Sequence, residues 1–444
     1  MSSHPLPTVP FVPAPSAASD AAKCAVPGTP LAAMRAGIDT CVHCGFCLQA
    51  CPTYVNLEDE NDSPRGRILL MRSVYEGSLG VRDESVRTHI DRCLGCRACE
   101  PICPSGVPYG HLLEATRATL LTERPLAPVA RLILWVFARP SLLGLAMAAS
   151  RLFRTTGLAA LGAWLFGGRL GFAMGMLLST HPVIARRKYA AKGSGERGTI
   201  ALLTGCVMEG LLAPTNRATE RALEVNDYRM VEAPRQRCCG ALHAHAGDLE
   251  TARELARANV AAFERSQAEF VVTNAAGCGA MMKEYGYLLK DDPAWAERAA
   301  HISAKVRDVS ELLVASGPKA PRAAVPARVT YDAPCHLLHA QRISAQPIQI
   351  LRAIPGLELV PLADSDQCCG AAGIYNLIEP ETSEAVLSPK LRNIAATRAT
   401  FVATGNPGCL MQIGAGLRNA QIGAHAVHPV DLLDEAYARD AKAG

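Results

Sequence analysis

Two short cysteine runs constrain this chain more than any other feature of its 444 residues. The first is CVHCGFCLQACP, from Cys41 to Pro52, and the second is CLGCRACEPICP, from Cys93 to Pro104. Both have the spacing C-x2-C-x2-C-x3-C-P. Cysteines at this spacing can place three sulfurs around one centre, and the glycine in each run lets the backbone approach that centre closely. The final proline turns the chain and directs the fourth cysteine elsewhere.

This spacing is typical of bacterial ferredoxins, in which three cysteines of a run bind one [4Fe–4S] cluster and the fourth binds the other. We therefore predict two [4Fe–4S] clusters. The predicted ligands are Cys41, Cys44, Cys47 and Cys103 for cluster 1, and Cys93, Cys96, Cys99 and Cys51 for cluster 2. Zinc and disulfides are the alternatives. A zinc site takes four ligands and usually pairs two C-x2-C units, so the double run leaves too many sulfurs for zinc.

The composition indicates an intracellular protein of two or three domains. The 45 basic and 41 acidic residues nearly balance, so no strong charge points to nucleic acid. The odd number of cysteines, 17, favours metal thiolates in a reducing compartment over a disulfide framework. Residues 1–36 are expected to form a disordered arm, because they begin rich in Pro, Ala and Ser and lack the features of a signal peptide. We therefore expect a cytoplasmic location.

Residues 37–120 predict an α-helical ferredoxin domain that holds the two clusters. Between the cysteine runs, Ser63 marks the start of a helix with apolar residues at helical spacing, and Gly77 marks its end. A second short helix, ESVRTHIDR, leads into the second run. Arg92 and Arg97 lie beside cluster cysteines, where their charges either favour the reduced cluster or simply face water.

Residues 121–198 predict a helical linker of strongly apolar composition. Its apolar runs are interrupted by Arg131, Arg139, Arg151, Arg154 and Arg169. Each uncharged run is shorter than the roughly eighteen to twenty residues that a membrane span requires, so we predict no span. Two interpretations remain open: the helices pack on the protein's own core, or they lie on a membrane surface or a partner.

The end of this linker contains Gly193, Gly195 and Gly198, which match the pattern G-x-G-x-x-G. The run precedes a predicted strand, whereas the dinucleotide fingerprint follows a strand and opens a helix. We therefore predict neither a flavin nor a nicotinamide site on this chain.

The remainder of the chain is an internal repeat, with units at residues 199–318 and 327–444. Each unit contains, in order, a strand followed by a cysteine, a CCG tripeptide, and a second strand followed by a cysteine. The separations agree within a residue or two, which indicates two similar α/β domains that arose by duplication. Helical segments separate the strands, so we predict parallel sheets with helical crossovers.

The cysteines of each unit are expected to gather at the carboxyl edge of its sheet, where open α/β sheets place their ligands. They are Cys206, Cys238, Cys239 and Cys278 in the first unit, and Cys335, Cys368, Cys369 and Cys409 in the second. Adjacent cysteines can bind two irons of one cluster, so one or two further iron–sulfur clusters are predicted. Structural cysteines or a vicinal disulfide are the alternatives. Three nearby histidines, His243, His245 and His336, receive no assigned role.

The double cysteine run, the SPRGRI piece and the duplicated CCG units together resemble the iron–sulfur subunit of glycolate oxidase (glycolate dehydrogenase), from about residue 37 to the end. The iron–sulfur subunits of anaerobic glycerol-3-phosphate dehydrogenase and lactate utilisation, and the CCG subunit of heterodisulfide reductase, look similar. In the last of these the CCG unit ends in C-x2-C and holds a non-cubane cluster. Here the endings are AAGC and NPGC, so the earlier cysteine is missing, which speaks against that cluster and its disulfide chemistry.

The sequence as a whole predicts an α+β multidomain fold: a ferredoxin domain, an apolar linker and two CCG domains. The resemblance implies the electron-transfer subunit of an oxidoreductase complex, with no catalytic residue on this chain. It implies an FAD-dependent 2-hydroxy acid dehydrogenase as partner, a second flavin-type subunit and a quinone-type acceptor, with FAD on the partner only and a peripheral membrane contact left open. Alternatives are the iron–sulfur subunit of an L- or D-lactate or anaerobic glycerol-3-phosphate dehydrogenase, a heterodisulfide-type thiol reductase, and a structural zinc scaffold.

Overall fold

The computed structural model describes residues 24–184 and 189–443. The described residues have the predicted α+β architecture: a small helical domain, an apolar helical segment, and two α/β units with the same strand order. The duplication inferred from the repeated cysteine pattern is confirmed by this shared topology.

The predicted N-terminal arm differs in part from the structure. Residues 1–23 of the arm lie outside the described residues. Residues 24–36 are packed against the helical domain instead of being disordered: Leu31 is fully buried, and its backbone N–H donates to Thr119 Oγ1 at 3.0 Å. The prediction is wrong for this piece because Leu31 supplies an apolar side chain to the core of a small domain.

The helical domain encloses its cysteines between short helices. They are α1 Arg35–Asp39, α2 Pro52–Leu57, α3 Pro64–Glu76, α4 Glu84–Asp91 and α5 Tyr109–Leu121, with 3₁₀ turns at Leu31–Met34 and Glu60–Asp62. Helix α3 begins and ends where the sequence predicts. The Ser63 side chain accepts a hydrogen bond from the N–H of Gly66 at 2.9 Å, and Gly77 ends the helix in the left-handed conformation at φ +80°.

The apolar segment forms four helices, α6 Pro128–Phe137, α7 Pro140–Thr155, α8 Leu158–Leu165 and α9 Gly168–Leu178. Their inward faces are buried on the rest of the protein, through residues such as Leu134 and Met147. The interpretation that the helices pack on the protein's own core therefore holds for one face. Among the described residues no single helix is long and apolar enough to cross a membrane; α6 and α7 meet these criteria only together, and they are bent by 107° relative to each other.

The first α/β unit has a parallel sheet in the order β2-β1-β3-β4, and the second has the order β6-β5-β7-β8. The strands are β1 Thr199–Leu202, β2 Arg229–Met230, β3 Phe270–Thr273, β4 Val306–Asp308, β5 Ala327–Tyr331, β6 Leu357–Val360, β7 Phe401–Ala403 and β8 His425–Val427. Parallel neighbours require crossovers, and helices supply them in both units.

The helices of the first unit are α10 Val207–Leu211, α11 Ala213–Val225, α12 Ala241–Ala246, α13 Leu249–Ser266, α14 Ala276–Lys283, α15 Tyr285–Leu288, α16 Ala296–Lys305 and α17 Val309–Ala315. Those of the second unit are α18 Ala345–Arg352, α19 Tyr375–Ile378, α20 Pro380–Thr397, α21 Pro407–Asn419 and α22 Pro429–Ala443, with a π-helix at His336–Ala340. One apolar core joins the two units, since buried side chains from both sheets, such as Ile200 and Val329, belong to the same cluster.

The helical domain docks against both units through its second cysteine run. The Tyr375 hydroxyl donates to the Arg92 carbonyl at 2.8 Å, and Arg97 forms a salt bridge with Glu284 at 2.5 Å. These contacts bring the cysteines of the helical domain next to those of the α/β units.

Candidate metal centres

Site 1 is a cavity in the helical domain lined by the four cysteines that the sequence assigns to cluster 1. These are Cys41, Cys44, Cys47 and Cys103. Cys44 is exposed, and the large side chains beside it, Val42 and Phe46, are 66% and 64% exposed. Site 1 therefore lies at the protein surface, within an apolar rim.

Site 2 is a second cavity, lined by the cysteines assigned to cluster 2. These are Cys51, Cys93, Cys96 and Cys99. In contrast to site 1, most of these cysteines are buried. The Tyr109 hydroxyl donates to the Cys93 sulfur at 3.5 Å. Because Cys99 lines both cavities, sites 1 and 2 are direct neighbours.

The two cysteine runs adopt one backbone conformation. The second position after the first cysteine is left-handed in both, at His43 (φ +54°) and Gly95 (φ +63°). The position after the second cysteine is left-handed as well, at Gly45 (φ +86°) and Arg97 (φ +62°). A non-glycine residue adopts this region at some cost, so its occurrence in both loops indicates that the loop geometry itself is required.

The donors at sites 1 and 2 fit a [4Fe–4S] cluster. Each cavity offers at least four thiols drawn from both cysteine runs. At site 2 a backbone N–H also points at sulfur, since Gly95 donates to the Cys93 sulfur at 3.4 Å. All cysteines of the described residues are free thiols, so the disulfide alternative does not hold there. The ligand assignment itself stays a prediction.

Arg67 is a site residue that the sequence analysis did not identify. It lies on α3 in the SPRGRI piece and is fully buried. Its guanidinium Nη1 lies 3.9 Å from Cys51 Sγ and donates to Thr53 Oγ1 at 3.0 Å, while Nη2 pairs with the Asp62 carboxylate at 3.0 Å. A buried charge needs such partners to offset its desolvation, and the guanidinium that these partners hold forms part of the wall of site 2.

The sequence left two interpretations open for Arg92 and Arg97: their charges favour the reduced cluster, or they face water. Neither describes the structure fully. Arg92 pairs with Asp62 at 3.0 Å, and Arg97 pairs with Glu100 at 2.9 Å as well as with Glu284. Their positive charges are therefore largely compensated by carboxylates and do not simply face water.

Site 3 is formed by the four cysteines of the second α/β unit. The sulfurs of Cys369 and Cys409 are 3.3 Å apart, much longer than the roughly 2.05 Å of a disulfide. A hydrogen bond with the Cys335 thiol raises the pKa of Cys368, which places these two side chains in contact. The four cysteines, which come from three separate segments of the sequence, are thus together at the carboxyl edge of the sheet.

A buried ion pair lies beside site 3. The Lys390 ammonium donates to Asp332 Oδ1 at 2.6 Å, and both side chains are 2% exposed. The Cys369 pKa is lowered, first by hydrogen bonding with the Cys368 and Cys409 side chains and in smaller part by the Lys390 charge. Asp332 directly follows β5 in the chain, three residues before Cys335, so the sheet edge carries the pair as well as the cysteines.

Site 4 is the corresponding arrangement in the first unit. The sulfurs of Cys206 and Cys238 are 3.7 Å apart, and a hydrogen bond with Cys278 contributes to the raised pKa of Cys239 after that with Cys238. The following Gly240 has φ +88°, and a Cβ there would lie 3.2 Å from the Ala252 carbonyl oxygen. The glycine of the CCG tripeptide therefore permits both the turn and the close approach of a helix.

The four sites form one connected series, in which each site lies next to the following one. Cys96 of site 2 and Cys335 of site 3 belong to one apolar cluster, and the proximity of Cys335 contributes to the raised pKa of Cys96 after burial. Sites 3 and 4 are joined by Asn406, whose Nδ2 donates to Cys409 Sγ at 3.5 Å while its Oδ1 accepts from the Gly277 N–H at 3.2 Å. Gly277 directly precedes Cys278 in the chain.

The three unassigned histidines lie at contacts between domains. His336 Nε2 is 3.1 Å from the Gly95 carbonyl oxygen, and its ring centroid is 5.1 Å from that of His245. Burial lowers the pKa of His336 to about 4. His245 contacts Glu114 at 2.9 Å, and His243 contacts the Leu134 carbonyl at 3.0 Å. Their observed contacts are thus structural ones.

Protein-family models match both the helical domain and the two α/β units. Residues 37–107 match a 4Fe–4S dicluster domain, and residues 200–283 and 329–414 match the cysteine-rich CCG domain. The first match spans sites 1 and 2, and the other two span sites 4 and 3. Multiple iron–sulfur clusters are therefore supported by the families as well as by the donor sets.

Two relatives match along most of the chain. The probable glycolate oxidase iron–sulfur subunit of Bacillus subtilis is 39% identical over 418 residues, which is 89% of this chain and 93% of that protein. The glycolate oxidase iron–sulfur subunit of Escherichia coli is 30% identical over 410 residues, which is 90% of this chain and 94% of that protein. Lactate utilization protein A of Geobacillus thermodenitrificans is 29% identical over 236 residues, but this is 53% of the present chain. The chain belongs to the family of glycolate oxidase iron–sulfur subunits.

Proposed function

We propose that this chain is the electron-transfer subunit of a flavin-dependent 2-hydroxy acid dehydrogenase that oxidises glycolate to glyoxylate. On this proposal the substrate is oxidised on a partner flavoprotein that carries the FAD, with a second flavin-type subunit in the complex. The two electrons released by each glycolate leave one at a time through this chain toward a quinone-type acceptor, and the complex works in the cytoplasm. The observation that carries the proposal is the connected series of four cysteine sites.

The cysteine thiolates are proposed to hold the clusters with the ligands predicted from the sequence. Bound [4Fe–4S] clusters take up and release single electrons at potentials set by hydrogen bonds, charge and exposure. The chain supplies all three influences: Tyr109 donates to the Cys93 sulfur, Arg67 places a buried charge beside Cys51, and the cysteines of site 3 are largely buried from water.

The exposed position of site 1 supports a role in receiving electrons. Val42 and Phe46 give its rim an apolar surface, and Cys44 lies at the opening. Large apolar side chains at a protein surface favour a protein contact. We propose that the flavoprotein docks here, so that electrons enter at site 1 and continue inward toward sites 2, 3 and 4.

The test uses the complex purified with its flavoprotein partner. We compare Cys44→Ser, at site 1, with Cys24→Ser, which makes the same change outside every cysteine motif. Cys44→Ser should abolish glycolate-dependent reduction of a quinone analogue while dye reduction, taken directly from the flavoprotein, continues. Cys24→Ser should retain both activities. Loss of both activities in Cys44→Ser with an intact complex, or retention of both, would contradict the electron-transfer role.

The same purified complex distinguishes the substrate alternatives. The relatives named lactate utilization protein A match about half of this chain, whereas those named glycolate oxidase subunits match along nearly all of it. Glycolate should therefore reduce the flavoprotein much faster than L-lactate, D-lactate or glycerol 3-phosphate. Faster reduction by one of these three would reassign the substrate. Disulfide reduction by this chain with a reductant alone would instead support a thiol reductase.

A further inference from the structure

We propose that the outward face of helices α6, α7 and α8 binds the surface of an anionic phospholipid bilayer. This goes beyond the proposed function, and its test requires no catalysis. Bilayer binding can therefore fail without affecting the electron-transfer proposal, and the reverse also holds. We call this face the apolar–arginine surface, defined by Leu132, Trp135, Leu145, Leu152, Leu161 and Trp164 together with Arg131, Arg139 and Arg151.

Most of the large exposed apolar side chains of the described residues lie on this part of the chain. Trp164 is 80% exposed, Leu145 is 69% exposed and Leu152 is 64% exposed. Leu132 and Trp135 follow at 60% and 48%. A soluble surface seldom collects so many large apolar groups without a contact to cover them.

The inward faces of the same helices are packed against the rest of the protein. Leu134 is buried, and its carbonyl is 3.0 Å from His243 Nε2. Met147 packs so closely on Gly210 that a Cβ there would lie 2.5 Å from its side chain. The protein core therefore holds the helices in place, and the exposed side chains point away from that core.

Charge favours a lipid partner over a protein partner. Residues 124–195 contain neither Asp nor Glu. Arg131, Arg139 and Arg151 are exposed, and within the described residues none of them forms a salt bridge; the Arg139 guanidinium contacts the carbonyl and the ring of Trp135. Protein interfaces commonly pair both signs of charge, whereas an anionic lipid surface presents one sign to a cationic face.

The geometry of the helices fits a position along the bilayer surface. Each is too short to cross it, and the bend of 107° between α6 and α7 prevents the two from crossing it as one straight span. Arg139 lies over the ring of Trp135, with its guanidinium carbon 4.4 Å from the ring centroid. Tryptophan and arginine are both suited to the boundary between headgroups and acyl chains, where an apolar body and a polar tip are each accommodated.

The first experiment is sedimentation of the full chain, with clusters reconstituted, on vesicles of phosphatidylcholine with or without phosphatidylglycerol. We expect binding to the phosphatidylglycerol vesicles that weakens with added salt and is weak on phosphatidylcholine alone. Arg131→Glu with Arg139→Glu should lower the partition coefficient by roughly fivefold or more for each arginine changed. The matched control, Arg352→Glu with Arg392→Glu, reverses two exposed arginines elsewhere and should bind nearly as the parent does.

The second experiment uses the three tryptophans of the chain. Trp295→Phe leaves only the two on the apolar–arginine surface, and vesicles with brominated acyl chains should quench their fluorescence. Trp135→Phe with Trp164→Phe leaves Trp295, which stacks on Arg298 in the first α/β unit, and its fluorescence should not change. Both variants retain all surface arginines.

Three results would overturn the proposal. The first is absence of binding to phosphatidylglycerol vesicles by a folded, cluster-containing chain. The second is loss of the flavoprotein from the purified complex when Trp164→Ala is introduced, which would make this face a subunit interface. The third is a stable dimer of the parent that becomes a monomer in the same variant, which would make it a contact between two copies.

Discussion

The guanidinium Nη1 of Arg67 lies 3.9 Å from Cys51 Sγ, with the arginine fully buried. The charge therefore acts through a medium that screens it far less than water does. Since reduction adds negative charge to an iron–sulfur cluster, a fixed positive charge beside a ligand favours the reduced state. If a cluster is bound at site 2, Arg67, which pairs with Asp62 through Nη2 and faces Cys51 Sγ through Nη1, would stabilise its reduced state.

Replacement of Arg67 should lower the reduction potential of site 2. We expect Arg67→Gln to lower the midpoint by about 60 mV or more, which is a tenfold change in a one-electron equilibrium, and Arg67→Lys to restore part of it. The measurement is an anaerobic redox titration followed by electron paramagnetic resonance. Arg72→Gln changes a partly exposed arginine on the same helix and should leave the midpoint unchanged. Equal midpoints in the Arg67→Gln variant and the parent would contradict the tuning role.

Asn406 should connect the properties of sites 3 and 4. Asn406→Asp retains an acceptor for the Gly277 N–H but replaces the donor to Cys409 by a negative charge. We expect the spectrum and the midpoint of site 3 to shift, with the midpoint lowered. Asn419→Asp makes the same change at an exposed position at the end of α21 and should alter neither. Identical spectra for Asn406→Asp and the parent would show that this residue does not influence the site.

Gly66 has no room for a side chain. A Cβ there would lie 2.0 Å from the Glu60 carbonyl oxygen, whereas a Cβ at Gly144, on the exposed side of α7, would meet no atom within 4 Å. Gly66→Ala should therefore destabilise the helical domain by about 2 kcal/mol or more and reduce its iron content. Gly144→Ala should raise stability by up to about 1 kcal/mol. Thermal unfolding and iron analysis of the two variants test this, and equal stability of both would contradict the described packing.

The sequence alone predicted the cysteine sites and the fold, because the sequence signals for both are local. The cysteine spacing, the cap at Ser63 and the duplicated strand–cysteine order are each legible within a few residues. The burial of Arg67 and the bridge made by Asn406 depend on which segments meet in three dimensions, so neither was predicted. The segments themselves were noted, since Arg67 lies in SPRGRI, a piece that carries the family resemblance, and Asn406 lies in NPGC, the ending of the second CCG unit.

His428 should make the stability of the second α/β unit depend on pH. Its Nε2 lies 2.9 Å from the Asn274 carbonyl oxygen and its Nδ1 accepts from the Val430 N–H at 3.1 Å, so the neutral ring is the form that fits. Burial lowers its pKa to about 4. Because the unfolded pKa is about 6.5, the unfolded state binds the proton first as the pH falls, and stability is lost from about pH 6.5 down to about pH 4.

The expected size of this loss of stability follows from the interval between the two pKa values. Between about pH 7.5 and 5.5 the parent should lose about 1 kcal/mol more of its free energy of unfolding than His428→Gln loses. Burial raises the pKa of Asp431 to about 7, so a fall in pH stabilises the folded state through this group. Asp431 is present in both proteins, so its contribution cancels when their losses are compared. Anaerobic urea unfolding at the two pH values provides the comparison. Equal losses in the two proteins would show that His428 does not titrate as described.

The most direct measurement for the whole account is the iron and acid-labile sulfide content of the full-length chain purified without oxygen. The account predicts about eight atoms of iron and about eight of sulfide per chain from sites 1 and 2, the content of two [4Fe–4S] clusters, and more where sites 3 and 4 are filled. A colourless protein that binds zinc without sulfide, and stays so after reconstitution with iron and sulfide, would contradict it.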